Sequence, residues 1–528
     1  MTVNYVEVNC HACSSSYIAF TLSESEGSVI GSVWSQVPET HFLYCIEILL
    51  TCMAQKPHVL IFPFPVQGHI NCMLKLAELL CCRGLHVTFL NSHHIHERLL
   101  CCTDIHYHFS QYPTFHFETI SDGLPADHPR TGDRVVELFH AVNATTKPQF
   151  RDILTGLQFH SPNGRPALTC IIADGIMSFT VDVAKELHIP TILFRTVSAS
   201  CFWAFLCVPK LLEAGELPFN GENDMDKLLS SVPGLERFRM RDLPSFCRTS
   251  NLADPGFQVV ISETLQNLKA DGLLLNTFED LEESALSHIR THIPKLYTVG
   301  PLHAHLKARE ASSPALQQPS SSSLWKEDRS CMAWLDRKPL NSVIYVSFGS
   351  MTVLTRNQLF EFWHGLVNSG KPFLWVIRPK SVNADGDIPA ELLEGTRKRG
   401  YMVGWAPQQE VLAHPAVGGF LTHSGWNSTL ESICEGVPMI CWPFYADQQV
   451  NSRLVGEVWK VGLDMKDTCE RATVEKMIKD LMDVKRDEFI LCAKEKAKLA
   501  RKSVEQAGSS HCNLDRLIDD INMMNFAK

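Results

Sequence analysis

Short apolar runs alternate with amphipathic stretches over most of this chain, and the alternation begins abruptly near Lys56. From His58 to Phe64 the residues are almost continuously apolar, the mark of a strand buried on both faces. The turn Pro65-Val-Gln-Gly-His69 follows, then helical spacing through about Cys82, then Gly84 and a second strand at His86–Leu90. The pattern returns at Leu168–Ala173, a strand ending at Asp174, with a helix to about Leu187, a stop at Pro190 and a strand at Thr191–Phe194. It restarts with Ser342-Val-Ile-Tyr-Val-Ser-Phe-Gly-Ser350, a helix over Arg356–Ser369 and a strand at Phe373–Ile377. Strands that alternate with helices predict parallel sheets covered on both faces. At 528 residues and 45% hydrophobic content the chain exceeds one ordinary core. The reading is therefore α/β, with two doubly wound domains facing a cleft.

Residues before Lys56 show no sustained period, and Met53-Ala-Gln-Lys reads like a chain's own beginning. Residues 1–55 are accordingly expected to be a disordered or non-native extension, with residues 1–52 arising from an alternative start. An N-terminal domain is expected over 56–300, a linker over 301–328 where Ser, Gln and Pro accumulate, a C-terminal domain over 329–505, and a helical tail over 506–528 that packs back on the first domain. The charged positions after Val474, among them Lys494, Glu495, Lys498 and Arg501, read as a solvated face.

Composition narrows the function. Acidic residues outnumber basic ones 58 to 48, and no Lys/Arg-rich run tracks a phosphate backbone, which argues against a nucleic-acid partner. The 19 cysteines are scattered, with one isolated Cys10-x-x-Cys13, and suggest neither a disulfide scaffold nor a zinc site. Phe42–Ala54 is apolar but interrupted by Glu47 and too short for a membrane span. A cytoplasmic monomer is expected.

The richest segment chemically runs from Gly418 to Gly436: a strand, a Gly-containing turn and a helix. A helix N-terminus carrying His423, Asn427 and Ser428 suits a diphosphate, which its dipole and donors stabilise without a metal. Ser428-Thr-Leu-Glu431 is also a capping box, so the same residues have a purely structural reading. In the first half, His69 sits at a strand-to-helix turn, where ligands of such sheets bind. That position suits a neutral imidazole able to accept a proton.

The stretch from Trp405-Ala-Pro-Gln408 to Trp442-Pro-Phe-Tyr-Ala-Asp447-Gln448 closely resembles the signature box of plant family 1 UDP-glycosyltransferases, and the resemblance extends from about Lys56 to the C-terminus. It implies the GT-B fold of two Rossmann-like domains. It further implies that Trp405 stacks on uracil, Ala406 and Gln408 meet the base edge, and Glu431 holds the ribose. Ser350, His423, Asn427 and Ser428 would grip the diphosphate, while Trp426, Asp447 and Gln448 would contact the sugar. Gln448 favours glucose, so UDP-glucose is the expected donor, with no cofactor and no metal. His69 would be the base, Asp174 its orienting partner, and transfer would invert the anomeric carbon.

Thr196 matches a sugar-contact position, whereas its neighbour Arg195 stands where Trp is usual. Cys72 and Ser424 are further departures that remove no needed group. Apolar walls for a small-molecule acceptor are sought among Phe179, Phe202, Trp203, Phe205 and Phe246, and Arg195, Arg241 or Arg248 would suit an acidic one. Phe194–Trp203 and Met240–Arg248 resemble the branch of 7-deoxyloganetic acid glucosyltransferases. Phenolic or flavonoid acceptors, or a non-catalytic nucleotide-sugar-binding protein, are the alternatives. A nicotinamide-dependent dehydrogenase would need Gly-x-Gly-x-x-Gly where this chain has Pro-Val-Gln-Gly-His.

Overall fold

The computed structural model describes residues 56–526, apart from 160–164, 220, 222, 223, 313–322 and most of 379–398, together with two short strands near the start. Those strands, β1 (Tyr5–Val8) and β2 (Ile18–Thr21), pair antiparallel. The expectations for the rest of residues 1–55 lie outside the described residues.

The apolar runs become strands of two separate sheets. The first contains β3 (His58–Phe62), β4 (His86–Ser92), β5 (Phe115–Ile120), β6 (Leu168–Asp174), β7 (Thr191–Arg195), β8 (Gly272–Leu275) and β9 (Leu296–Thr298). Their order is β5-β4-β3-β6-β7-β8-β9, and every pairing is parallel. The second contains β10 (Val343–Ser347), β11 (Phe373–Val376), β12 (Gly400–Val403), β13 (Val417–Thr422), β14 (Met439–Cys441) and β15 (Gly462–Asp464), in the order β12-β11-β10-β13-β14-β15, again all parallel.

Both sheets share one topological event. The chain runs from its first strand to one edge, then returns to the other side of that first strand: β6 pairs with β3, and β13 with β10. At such a reversal the connections leave in opposite directions and open a crevice beyond the carboxyl ends of the strands. Each domain thus supplies one crevice, and the residues at the carboxyl ends of β3, β6, β10 and β13 set its chemistry.

The helices that matter for the site are α1 (Gln67–Cys82), α2 (Ala199–Leu206), α3 (Leu302–Ser312), α4 (Trp426–Glu435), α5 (Arg486–Val504) and α6 (Ser509–Phe526). Helix α3 occupies the first part of the segment read as a linker or loop over 301–328. Leu302 is fully buried and Leu306 packs on the same cluster, so an i,i+4 apolar pair carries a helix up to the Ser/Pro run. In α5, Phe489, Ala493, Ala497, Ala500 and Val504 form the buried stripe, and the expected charged positions face solvent. Helix α6 lies against the first sheet: Leu514, Leu517, Ile518 and Ile521 share a core cluster with Val59 and Ile61 of β3. Its polar contacts also reach that domain, through Asn513 Nδ2 to Thr298 Oγ1 at 2.9 Å and Ser510 to the Gly300 carbonyl. No described helix is long and apolar enough to cross a membrane.

Candidate active site

A cavity of about 790 Å³ lies between the carboxyl ends of the two sheets and takes walls from both. That volume suits a substantial small-molecule ligand.

On the first-domain side, α1 begins directly after the turn that leaves β3. Its N-cap Val66 offers no side-chain cap, and His69 occupies the first turn. Asp174, the last residue of β6, is 1% exposed and receives the His69 ring at 2.5 Å, Nδ1 to Oδ2. The N–H groups of Phe64 and Ile176 also donate to this carboxylate, both at 3.2 Å. An ionised carboxylate only accepts, so the proton of His69 resides on Nδ1 and Nε2 is left as the acceptor. Thr196 Oγ1 stands 3.1 Å from Nδ1 and 3.4 Å from Nε2, placing the residue beside the histidine.

On the facing side, the turn between β13 and α4 is sharp. Ser424 adopts a left-handed φ of 63°, and Gly425 caps α4 with no side-chain hydrogen bond. The capping-box reading therefore does not hold. Ser428 Oγ and Glu431 instead receive the Gln408 amide at 2.9 and 2.7 Å, and Gln409 donates to Glu431 at 3.0 Å. This leaves the first-turn N–H groups of α4 for a ligand, with the positive end of the helix dipole behind them. His423 lines the cavity, its ring hydrogen-bonded to the Ser347 backbone, and burial pushes its pKa down to about 4, so the ring is neutral. Ser350, after β10, lines the same wall.

Other predicted contacts divide by geometry. Trp405 and Ala406 line the cavity, and Trp405 stacks with Trp325 at 5.9 Å between ring centroids. Gln448 Oε1 is held by the N–H groups of Phe444 and Tyr445, both at 2.8 Å, which leaves its amide donors free to face a ligand. Asp447 accepts from Asn451 Nδ2 at 2.6 Å, and burial raises its carboxyl to about 6. The Trp426 indole N–H is committed to the carbonyl of Asn276 at 2.9 Å, so that donor is taken up within the protein. Asn427 reaches across the cleft: its amide donates to the Gly68 carbonyl at 2.7 Å.

At the far end, Phe205 and Phe246 form apolar walls together with Ile176, Val259 and Val260, and Arg195 lies among them. Phe202 does not: it is fully buried in the core beneath Arg195, whose guanidinium carbon is 5.5 Å from its ring. Phe179 and Trp203 are core as well, Trp203 donating to the Pro233 carbonyl at 2.9 Å. Arg241 and Arg248 are engaged outside the cavity, with Asp226 and Asp467. Asn451, Gln409 and Asn276 escaped the sequence reading. Gln409 adjoins Gln408 in the signature stretch, but nothing local marks Asn276, which is fixed only by the tertiary fold.

Comparison with known proteins shows the family and agrees with the fold. Residues 323–491 match the family described as UDP-glucoronosyl and UDP-glucosyl transferase, and residues 56–231 match a glycosyltransferase N-terminal domain. A 7-deoxyloganetic acid glucosyltransferase of Catharanthus roseus is 55% identical over 469 residues, covering 88% of this chain and 97% of the relative. The chain belongs to the UDP-glycosyltransferases. A 7-deoxyloganetin glucosyltransferase of Gardenia jasminoides is 42% identical over 88% of this chain and 98% of the relative. Among solved structures, Os79 from O. sativa in complex with UDP has a TM-score of 0.75 at 28% identity, covering 88% of this chain and 100% of that one. UGT71G1 of Medicago truncatula, complexed with UDP-glucose, has a TM-score of 0.71 at 28% identity, over 88% and 98%. In this UDP-glycosyltransferase the N-terminal match covers β3 to β7 and the other covers the whole second sheet, as the GT-B fold requires. Among the described residues, no three His, Cys, Asp or Glu side chains gather as a metal site.

Proposed function

We propose that this glycosyltransferase moves glucose from UDP-glucose, with inversion and without a metal, to a hydroxyl or carboxyl of a small plant specialised metabolite, an iridoid such as 7-deoxyloganetic acid. One observation carries the reading: the two switch-point crevices open into the same cavity, one with the His69–Asp174 pair and the other with an uncapped helix N-terminus.

Within that arrangement each residue takes the role that the family resemblance implies. Trp405 supplies a face for uracil, Gln408 and Ala406 its edge, and Glu431 accepts from the ribose hydroxyls. The N–H groups of α4, neutral His423, Ser350, Asn427 and Ser428 stabilise the departing diphosphate where its charge develops. Asp447, Gln448 and the Trp426 backbone orient the sugar, with Thr196 beside it. His69 takes the acceptor proton, the acceptor oxygen attacks the anomeric carbon from the side opposite UDP, and Asp174 holds the imidazolium that forms. The identities of the iridoid-modifying relatives support the acceptor class. The reading extends to a monomer in the cytosol with no nucleic-acid partner, where the free thiols of the described cysteines stay reduced.

The deciding experiment measures UDP release and glucoside mass for wild type and His69→Ala, with UDP-glucose and a panel of iridoid acids, monoterpenols and flavonoids. Turnover of an iridoid acid should fall by about 10²–10⁴-fold in the variant while UDP binding persists. A flavonoid as best acceptor would replace the iridoid assignment. Binding of UDP-glucose with no acceptor glucosylated would favour a nucleotide-sugar-binding protein instead.

A further inference from the structure

Arg195 closes β7 and reaches the acceptor end of the cavity. The residue is 2% exposed, yet its Nε and Nη1 have no hydrogen-bond partner. Neighbouring carboxylates are engaged elsewhere: Asp174 with His69, Glu263 with the N–H of Ser178, and Asp447 with Asn451. Arginine stays protonated in proteins, so a guanidinium buried without partners is costly unless something else satisfies it. The position is nonetheless built. Phe202 lies beneath the guanidinium, and Gly175 makes the room: a Cβ there would come within 2.3 Å of Arg195 Cδ.

A guanidinium held at the acceptor end of the cavity, among Ile176, Phe205, Val259 and Val260, matches one chemical group best, a carboxylate that accepts its N–H bonds. We infer that Arg195 binds a carboxylate carried by the acceptor, so that glucose is transferred to a hydroxyl of an apolar hydroxy acid and its carboxylate stays free. This rests on the glucosyl-transfer reading above and narrows it. A carboxylate has no proton for a base to remove near neutral pH, whereas His69 and Asp174 form a base with its orienting partner. In the step itself, the acceptor O–H proton passes to His69, the acceptor oxygen bonds to the anomeric carbon, and UDP leaves with the electron pair of the broken C–O bond. Thr196, next in sequence to Arg195, touches His69, so the anchor and the base stand on adjoining parts of one wall.

The experiment compares 7-deoxyloganetic acid with its methyl ester, using wild type, Arg195→Ala and Arg195→Lys, with both calorimetric binding to the UDP-loaded protein and turnover with UDP-glucose. Wild type should prefer the acid. In Arg195→Ala the acid should lose about a hundredfold in binding and kcat/KM, the ester under about threefold, with KM for UDP-glucose unchanged and Lys recovering part of the loss. The product from the acid should resist mild alkali that cleaves a glucose ester. Equal losses for acid and ester, or an alkali-labile product, overturn the inference. If the acid binds preferentially through Arg195 but no glucose is transferred, the anchor stands and the transferase reading falls. If acid and ester bind wild type equally, the anchor falls while any turnover preserves the transferase.

Discussion

Asn427 and Gly68 join the two halves of the cleft: the side-chain amide at the start of α4 donates to the carbonyl immediately before His69, at 2.7 Å. The group that would meet the diphosphate thereby also fixes the distance from donor to base.

Asn427→Ala should therefore lower kcat more than it raises the Kd for UDP, because it removes a registry contact as well as a ligand contact. Loss of one such hydrogen bond corresponds to about 1–3 kcal/mol, roughly five- to 150-fold in kcat/KM. Steady-state kinetics beside UDP calorimetry separate the two effects. Equal changes in both would mean that the bridge to Gly68 has no kinetic role.

Asp174→Asn keeps the shape at the end of β6 but no longer offers a carboxylate that only accepts. The Nδ1 proton of His69 then loses its fixed place, and Nε2 ceases to be reliably the base. Activity should fall by about 10²–10⁴-fold with little change in melting temperature or UDP affinity. A profile of rate against pH for the residual activity would reveal whether the His69 step has been altered.

Asp447 gives a pH-dependent prediction. Burial raises its carboxyl to about 6, so the charged acceptor for a sugar hydroxyl is present above that value and disappears as pH falls through it. The preference for UDP-glucose over UDP should shrink between pH 7 and pH 5. Stability has the opposite sign: a raised acid pKa contributes stability below its unfolded value that is lost as pH rises through about 6. Asp447→Asn should flatten the donor preference and stabilise the protein at pH 8 by up to about 3 kcal/mol, measured by denaturant unfolding.

Gly349 follows β10 with φ 71°, and a Cβ on it would come within 2.4 Å of His423 Nε2. Gly349→Ala should cost about 1–2 kcal/mol in stability from the left-handed backbone alone. It should also raise KM for UDP-glucose by about tenfold or more by displacing His423. Unchanged donor affinity would remove His423 from the site.

Much of this was readable because periodicity and position carry it. The strands at His58, Leu168 and Val343 were evident as short apolar runs; His69 and Asp174 lie at strand ends, where a doubly wound sheet exposes its ligands, but it was the family resemblance that singled them out. Helix α3 was missed because composition outweighed a two-residue apolar spacing, and Phe202 was misplaced because a buried core ring and a cavity ring look alike in sequence. Arg195 could not be separated from Arg241 and Arg248 until the fold gave the other two acidic partners. Trp426 was anticipated as a contact, but the pairing of its indole with Asn276, 150 positions away, depends on how the domains dock.

The path of α6 has a consequence for biosynthesis. Leu514, Leu517, Ile518 and Ile521 complete an apolar layer that begins at Val59, so the lobe synthesised first cannot close its core until α6 has left the ribosome. The nascent chain must carry that uncovered surface through synthesis of the entire second lobe. Its most aggregation-prone moment therefore falls late, and chaperone dependence should track emergence of α6 more closely than completion of the first lobe.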